Sequence, residues 1–118
     1  MIHERDCEFN IPQRRDEIVL VYMGNALVGY ISCSLSNDIA KDAAIYILPE
    51  HRKKGIGKLI LSKQIEDLRK KEIIQMFVEI RESNKASLFL FIGMGFLFLI
   101  GPRTGYHPDP VNKLVLKL

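Results

Sequence analysis

Arg52-Lys53-Lys54-Gly55-Ile56-Gly57-Lys58 sets a run of three cations and two glycines just ahead of an apolar-periodic segment. From Gly57 to Lys71, Leu61, Ile65 and Leu68 fall at helical spacing, and Glu66 to Lys70 and Asp67 to Lys71 form i,i+4 ion pairs outside. Ahead of the cations, residues 43–48 (AAIYIL) are strand-like and stop at Pro49, which cannot donate to a ladder. The basic glycine stretch therefore lies between a strand and the first turn of a helix. Free backbone N–H groups and the helix dipole make that position favourable for anions. The glycines let backbone approach a bulky phosphate, and the basic side chains add long-range attraction. A Walker A loop would need Ser or Thr where Leu59 stands, and a dinucleotide fingerprint would need glycine at Ile60. The plainer alternative is an exposed basic turn whose glycines serve geometry alone.

Working outward, residues 73–81 (IIQMFVEIR) make a strand, so strand, helix and strand form a βαβ unit with parallel strands. Residues 17–23 and 26–35, joined by Gly24 and Asn25, predict a β-hairpin. A turn at Ser36, Asn37 and Asp38 leads to the strand at 43–48. Ser83 or Asn84 offers an N-cap for a second helix, Lys85 to Ile92, ending at Gly93 or Gly95. Residues 96–100 and 111–118 are the last strands. Leu114, Leu116 and Leu118 alternate with Val115 and Lys117, as in a half-buried strand. Residues 1–16 hold at most one short strand, near Glu8 to Ile11.

With 118 residues, 47% hydrophobic and 26% charged, the chain reads as a single domain over 1–118. Its net charge of +3 is spread along the sequence, which argues against nucleic acid and for a compact anion such as a cofactor phosphate. The apolar run from Leu88 to Gly101 is short of the roughly 20 residues a membrane helix needs, and its glycines divide it into a helix end and a buried strand. Cys7 and Cys33 form no CxxC pair, and no secretory signal opens the chain. A cytoplasmic protein whose thiols are small buried side chains, with no metal site, is the expectation.

Arg52-x-x-Gly55-x-Gly57 after a strand and a Pro-turn resembles the pyrophosphate loop of GCN5-related N-acetyltransferases. Val78-Glu79-Ile80-Arg81, Asn84, Leu90-Phe91 and Gly95-Phe96 follow in the order and spacing of the ribosomal-protein N-terminal acetyltransferases of the RimI type. Arg103-Thr104-Gly105-Tyr106-His107-Pro108-Asp109-Pro110 resembles their loop before the last strand. The resemblance runs from residue 17 to 118. It implies an α/β (α+β) fold, with a mixed sheet of about six strands around the strand-helix-strand core and with reduced N-terminal helices.

It also implies acetyl-CoA as co-substrate and an amine as acceptor, with a protein or peptide N-terminus favoured. The backbone of Ile45, Tyr46 and Ile47 would pair with the pantetheine arm, their side chains belonging to the core. Arg52, Lys53, Lys54, Gly55, Ile56, Gly57 and Lys58 would hold the pyrophosphate. Asn84 would bond the cofactor or serve as a plain N-cap. Glu79, among apolar neighbours on a central strand, would be the general base, the alternative being a structural ion pair. Phe91 stands against the cofactor where the family has tyrosine, and cannot protonate the departing sulfur. Tyr106 and His107 would shape the acceptor groove. Asn112-Lys113 replaces the acidic pair common in the family, which leaves the acceptor open. Two other functions fit the same residues: acetylation of a small-molecule amine, and a catalytically weak acyl-CoA-binding regulatory module. The short segment before Glu17 leaves the acceptor groove open, and predicts a homodimer or partner complex covering it.

Overall fold

Runs of β-branched and aromatic residues in the first part of the chain fold into two long antiparallel strands, β1 (Arg14–Met23) and β2 (Ala26–Ser36). The computed structural model describes residues 14–103 and 109–118. The short strand expected near Glu8 to Ile11 and the question of N-terminal helices lie outside them, as do Cys7, Tyr106 and His107. The third strand, β3 (Ile39–Ile47), begins earlier than residue 43. Asn37 turns the chain with a φ of 55°, and an irregularity at Asp42, φ 54°, lets the strand run through the charged Lys41-Asp42 pair.

A 3-10 turn at Pro49–His51 ends β3, and α1 (Ile56–Lys70) follows from Gly55. Its buried residues include Ile60, Leu61, Ile65 and Leu68, the stripe its periodicity predicted with Ile60 added. Lys70 meets Glu66 at 3.3 Å and Lys71 meets Asp67 at 2.9 Å. Lys71 also reaches Glu17 at 3.0 Å, which ties the end of α1 to β1. Next come β4 (Gln75–Arg81), α2 (Lys85–Gly93), β5 (Leu97–Arg103) and β6 (Val111–Lys117). The strands form one mixed six-stranded sheet in the order β1-β2-β3-β4-β6-β5.

Both helices pack on one face of this sheet. Leu61 and Leu68 of α1 and Leu88 and Phe91 of α2 share a core with Met76, Val78 and Ile80 of β4 and Leu114 of β6. Truncating Leu61, Met76 or Leu114, each 0% exposed, would cost about 2–5 kcal/mol. Because side chains alternate along a strand, Gln75, Phe77, Glu79 and Arg81 turn to the opposite face.

The parallel pairing that creates the site is brief. β3 and β4 are in register only at Ile39 with Gln75 and Ala40 with Met76, and then separate. β4 meanwhile stays paired with β6 along its whole length.

Candidate active site

The gap between β3 and β4 is lined by backbone whose direction follows from the neighbouring ladders. Leu48 N–H donates to the Val28 carbonyl at 2.8 Å, and Tyr46 is paired with Tyr30. Antiparallel bonding alternates, so Tyr46 and Leu48 bond toward β2, while the N–H and C=O of Ile45 and Ile47 turn to the gap. On β4, Leu118 N–H donates to the Ile74 carbonyl at 2.8 Å and Glu82 N–H to the Pro110 carbonyl at 2.7 Å. By the same alternation the backbone groups of Phe77, Glu79 and Arg81 point into the gap from the other side.

A cleft of about 440 Å³ fills the opening. Ala43, Ala44 and Ile45 line it from β3 and Val78–Arg81 from β4, with Ser83, Asn84, Ser87 and Phe91 at the start and inner side of α2. A second recess of about 240 Å³ is bounded by Ile39, Lys41, Asp42, Phe77, Val78, Glu79 and Lys113. Phe77, Glu79 and Lys113 belong to the face away from the helices, so the two hollows approach β4 from opposite sides. Val78 and Glu79 line both.

Glu79 is exposed, which corrects the expectation of a carboxylate enclosed by apolar neighbours. Val78 and Ile80 face the helices and are 3% and 4% exposed; Glu79, between them, faces out. Its cross-strand partner is Lys113. Tyr46 is not a core side chain either. It is 40% exposed, stacks on Tyr30 with ring centroids 5.6 Å apart, and lies under the Arg52 guanidinium at 5.3 Å. Ile45 and Ile47 are half-buried against the core, as expected.

Phe91 is 2% exposed and meets Phe96 edge-on at 5.0 Å, so the ring is both a wall of the cleft and part of the core. Asn84 is the N-cap of α2, its Oδ1 accepting from Ser87 N–H at 3.2 Å. The sequence offered Ser83 only as an alternative N-cap and Asp109 only as part of the loop motif, and placed neither in the site. Asp109 accepts from both the backbone N–H and the hydroxyl of Ser83, which ties the residues just ahead of β6 to the rim of the cleft. The Asp-Pro of the motif was the available signal.

The basic loop does not line the cleft but is fastened beside it. Arg52 Nε donates to the Ile47 carbonyl at 2.8 Å. Gly57 packs on α2, where an added Cβ would stand 3.4 Å from Leu90. Gly55 has a φ of 76°, a left-handed conformation that starts α1 with no side-chain cap. The first turn of α1 holds no acidic residue, and Lys53, Lys54 and Lys58 are exposed around it. Ile56 is buried at 8% with Val28, Ile31 and Ile60, which holds the loop to β2. Among the described residues no group of three or more His, Cys, Asp or Glu could hold a metal, and no helix is long and apolar enough to cross a membrane.

The model of the acetyltransferase (GNAT) family matches residues 2–96. The [ribosomal protein bS18]-alanine N-acetyltransferase of Haemophilus influenzae is 37% identical over 86 residues, 73% of this chain and 58% of that protein. The chain thus spans little more than half the length of that relative. Among solved structures, the ribosomal-protein-S18-alanine N-acetyltransferase of Escherichia coli superimposes with a TM-score of 0.76 at 19% identity, covering 98% of this chain and 77% of that one. An acetyltransferase from Salmonella typhimurium, solved with its cofactor acetyl-CoA, superimposes with a TM-score of 0.74 at 23% identity, covering 86% and 64%.

Proposed function

This chain belongs to the acetyltransferase (GNAT) family, and on that premise we propose that it moves an acetyl group from acetyl-CoA to a primary amine, the N-terminus of a protein or peptide. The observation that carries the reading is the position of Glu79, which borders two hollows reaching β4 from opposite sides. Transfer between two substrates needs one hollow for the donor and one for the acceptor, meeting at a group that handles protons.

The residues present fit acetyl-CoA. The uncapped start of α1, with Gly55 and the surrounding lysines, suits a pyrophosphate. The backbone of Ile45 and Ile47 can bond the amides of the pantetheine arm, and Asn84 and Phe91 border its path. The acceptor amine gives up its proton toward Glu79, directly or through one water, and attacks the thioester carbonyl carbon. The C–N bond forms, the C–S bond breaks, and the thiolate leaves. A backbone N–H near Ile47 steadies the oxygen while it carries charge. Phe91 offers no proton, and a thiol with a pKa near 8.5 leaves without much help near neutral pH. Tyr106 and His107 belong to the acceptor side in this reading.

Similarity to bS18-alanine N-acetyltransferases favours a protein acceptor. The free, buried Cys33 suits a reducing compartment such as the cytoplasm. The exposed Ile18, Leu20, Phe89 and Leu97 favour a homodimer.

Turnover of acetyl-CoA with a panel of peptides and small amines tests the reading. Glu79→Gln keeps the shape and removes the proton acceptor, so turnover should fall about 10²-fold or more with acetyl-CoA affinity retained. Full activity in that variant returns Glu79 to a structural role. Acetyl-CoA binding without turnover of any amine would favour a regulatory binding module instead.

A further inference from the structure

The recess on the helix-free face carries charges of both signs on strands that face each other. Lys113 lies on β6 directly across from Glu79 on β4, while Lys41 and Asp42 approach from β3. Lys113 is half-buried, with its ammonium 5.6 Å from the centre of the Phe77 ring. That ring holds the cation over the recess rather than leaving it to sweep through solvent. Lys41 is half-buried as well.

Resting on the transfer reaction above, we propose that this recess selects acceptor amines that carry a carboxylate close to the amino group. The amine goes to Glu79, and the carboxylate goes to Lys113 with Lys41 beside it. Charge matching supports this choice. An acceptor bearing both signs meets an opposite charge at each end, whereas a polyamine, cationic throughout, meets Lys41 and Lys113 as well as Glu79 and Asp42. The carboxylate can belong to a free amino acid or to an acidic first residue of a peptide.

The test compares kcat/KM for acetyl-CoA-dependent acetylation of free aspartate and of the amidated tripeptides Asp-Ala-Ala, Ala-Ala-Ala and Lys-Ala-Ala, with spermidine as the polycation. A carboxylate-bearing acceptor should exceed the neutral peptide by about tenfold through KM, the size of one charge-assisted contact. Lys113→Met should collapse that preference, Lys113→Arg should keep most of it, and Lys113→Glu should shift it toward Lys-Ala-Ala. Whether aspartate or Asp-Ala-Ala gains more tells the two sources of the carboxylate apart. Efficient turnover with neutral or cationic acceptors equal to or ahead of acidic ones overturns the inference and leaves the acetyl transfer standing. Turnover of none of the acceptors removes both.

Discussion

At the scale of single residues, the pair Asn112-Lys113 divides its labour by strand alternation. Lys113 faces the recess, while Asn112 is fully buried and donates its amide to Glu82. Glu82 also meets Lys85 at 2.9 Å. The Asn112 hydrogen bond first, and the Lys85 contact second, lower the Glu82 carboxyl below its ordinary 4.5. A carboxyl lowered on folding stabilises the fold above its unfolded value, and that contribution is lost as the pH falls through the folded one. Below about pH 4.5 the wild type should therefore lose melting temperature more steeply than Glu82→Gln, in thermal scans followed by circular dichroism. Parallel curves would mean that Glu82 does not couple the start of α2 to β6.

At the scale of elements, the cleft depends on how closely β2 and β3 approach. A Cβ built on Gly29 would lie 2.0 Å from the Tyr46 carbonyl oxygen and 3.1 Å from Ile47 Cα, both backbone atoms that cannot swing aside. Gly29→Ala should cost roughly 3 kcal/mol, at the upper end of overpacking. It should also weaken acetyl-CoA binding by displacing the backbone of Ile47; denaturant unfolding and calorimetry check the two effects. The start of α1 calls for a different variant. Valine at Gly55 would be strained at a φ of 76° whether or not a ligand binds, so it confounds folding with recognition. Lys54→Glu with Lys58→Glu leaves the backbone alone. That pair should reduce acetyl-CoA affinity by about tenfold at low salt and less at 0.5 M or so, because these exposed charges are screened. Unchanged calorimetric affinity at low salt would remove the loop from the pyrophosphate site.

At the scale of the whole molecule, helices cover one face of the sheet, and apolar side chains remain open elsewhere. On β1, Ile18 is 71% exposed and Leu20 55%; on β5, Leu97 is 70% exposed; on α2, Phe89 is 72% exposed. Surfaces of this kind lower their free energy by association. The chain should therefore dimerise at micromolar concentration, and Ile18→Lys with Leu20→Lys on the edge strand should shift it toward monomer. Light scattering across a dilution series measures this, and a monomer at every concentration would contradict it.

How much of this was legible beforehand depended on the range of the forces involved. The elements rest on local rules, and the sequence alone placed the hairpin about Gly24, the stripe Leu61, Ile65 and Leu68, the N-cap Asn84 and the stop at Pro49. Charged residues blurred the start of β3, because Lys41 and Asp42 do not read as strand and the ladder is irregular at Asp42, where φ is 54°. The spaced motif from Arg52 to Asn84 pointed to a phosphate loop and a carboxylate, but not to their surroundings. Tertiary structure alone decided that β3 and β4 part after Ala40, that Glu79 faces away from the helices, and that Lys41 and Lys113 line the same recess as Glu79. Those facts arise from pairing between distant strands. A ladder's register fixes the face of every side chain it carries, and no local pattern in one strand encodes the register of its partner.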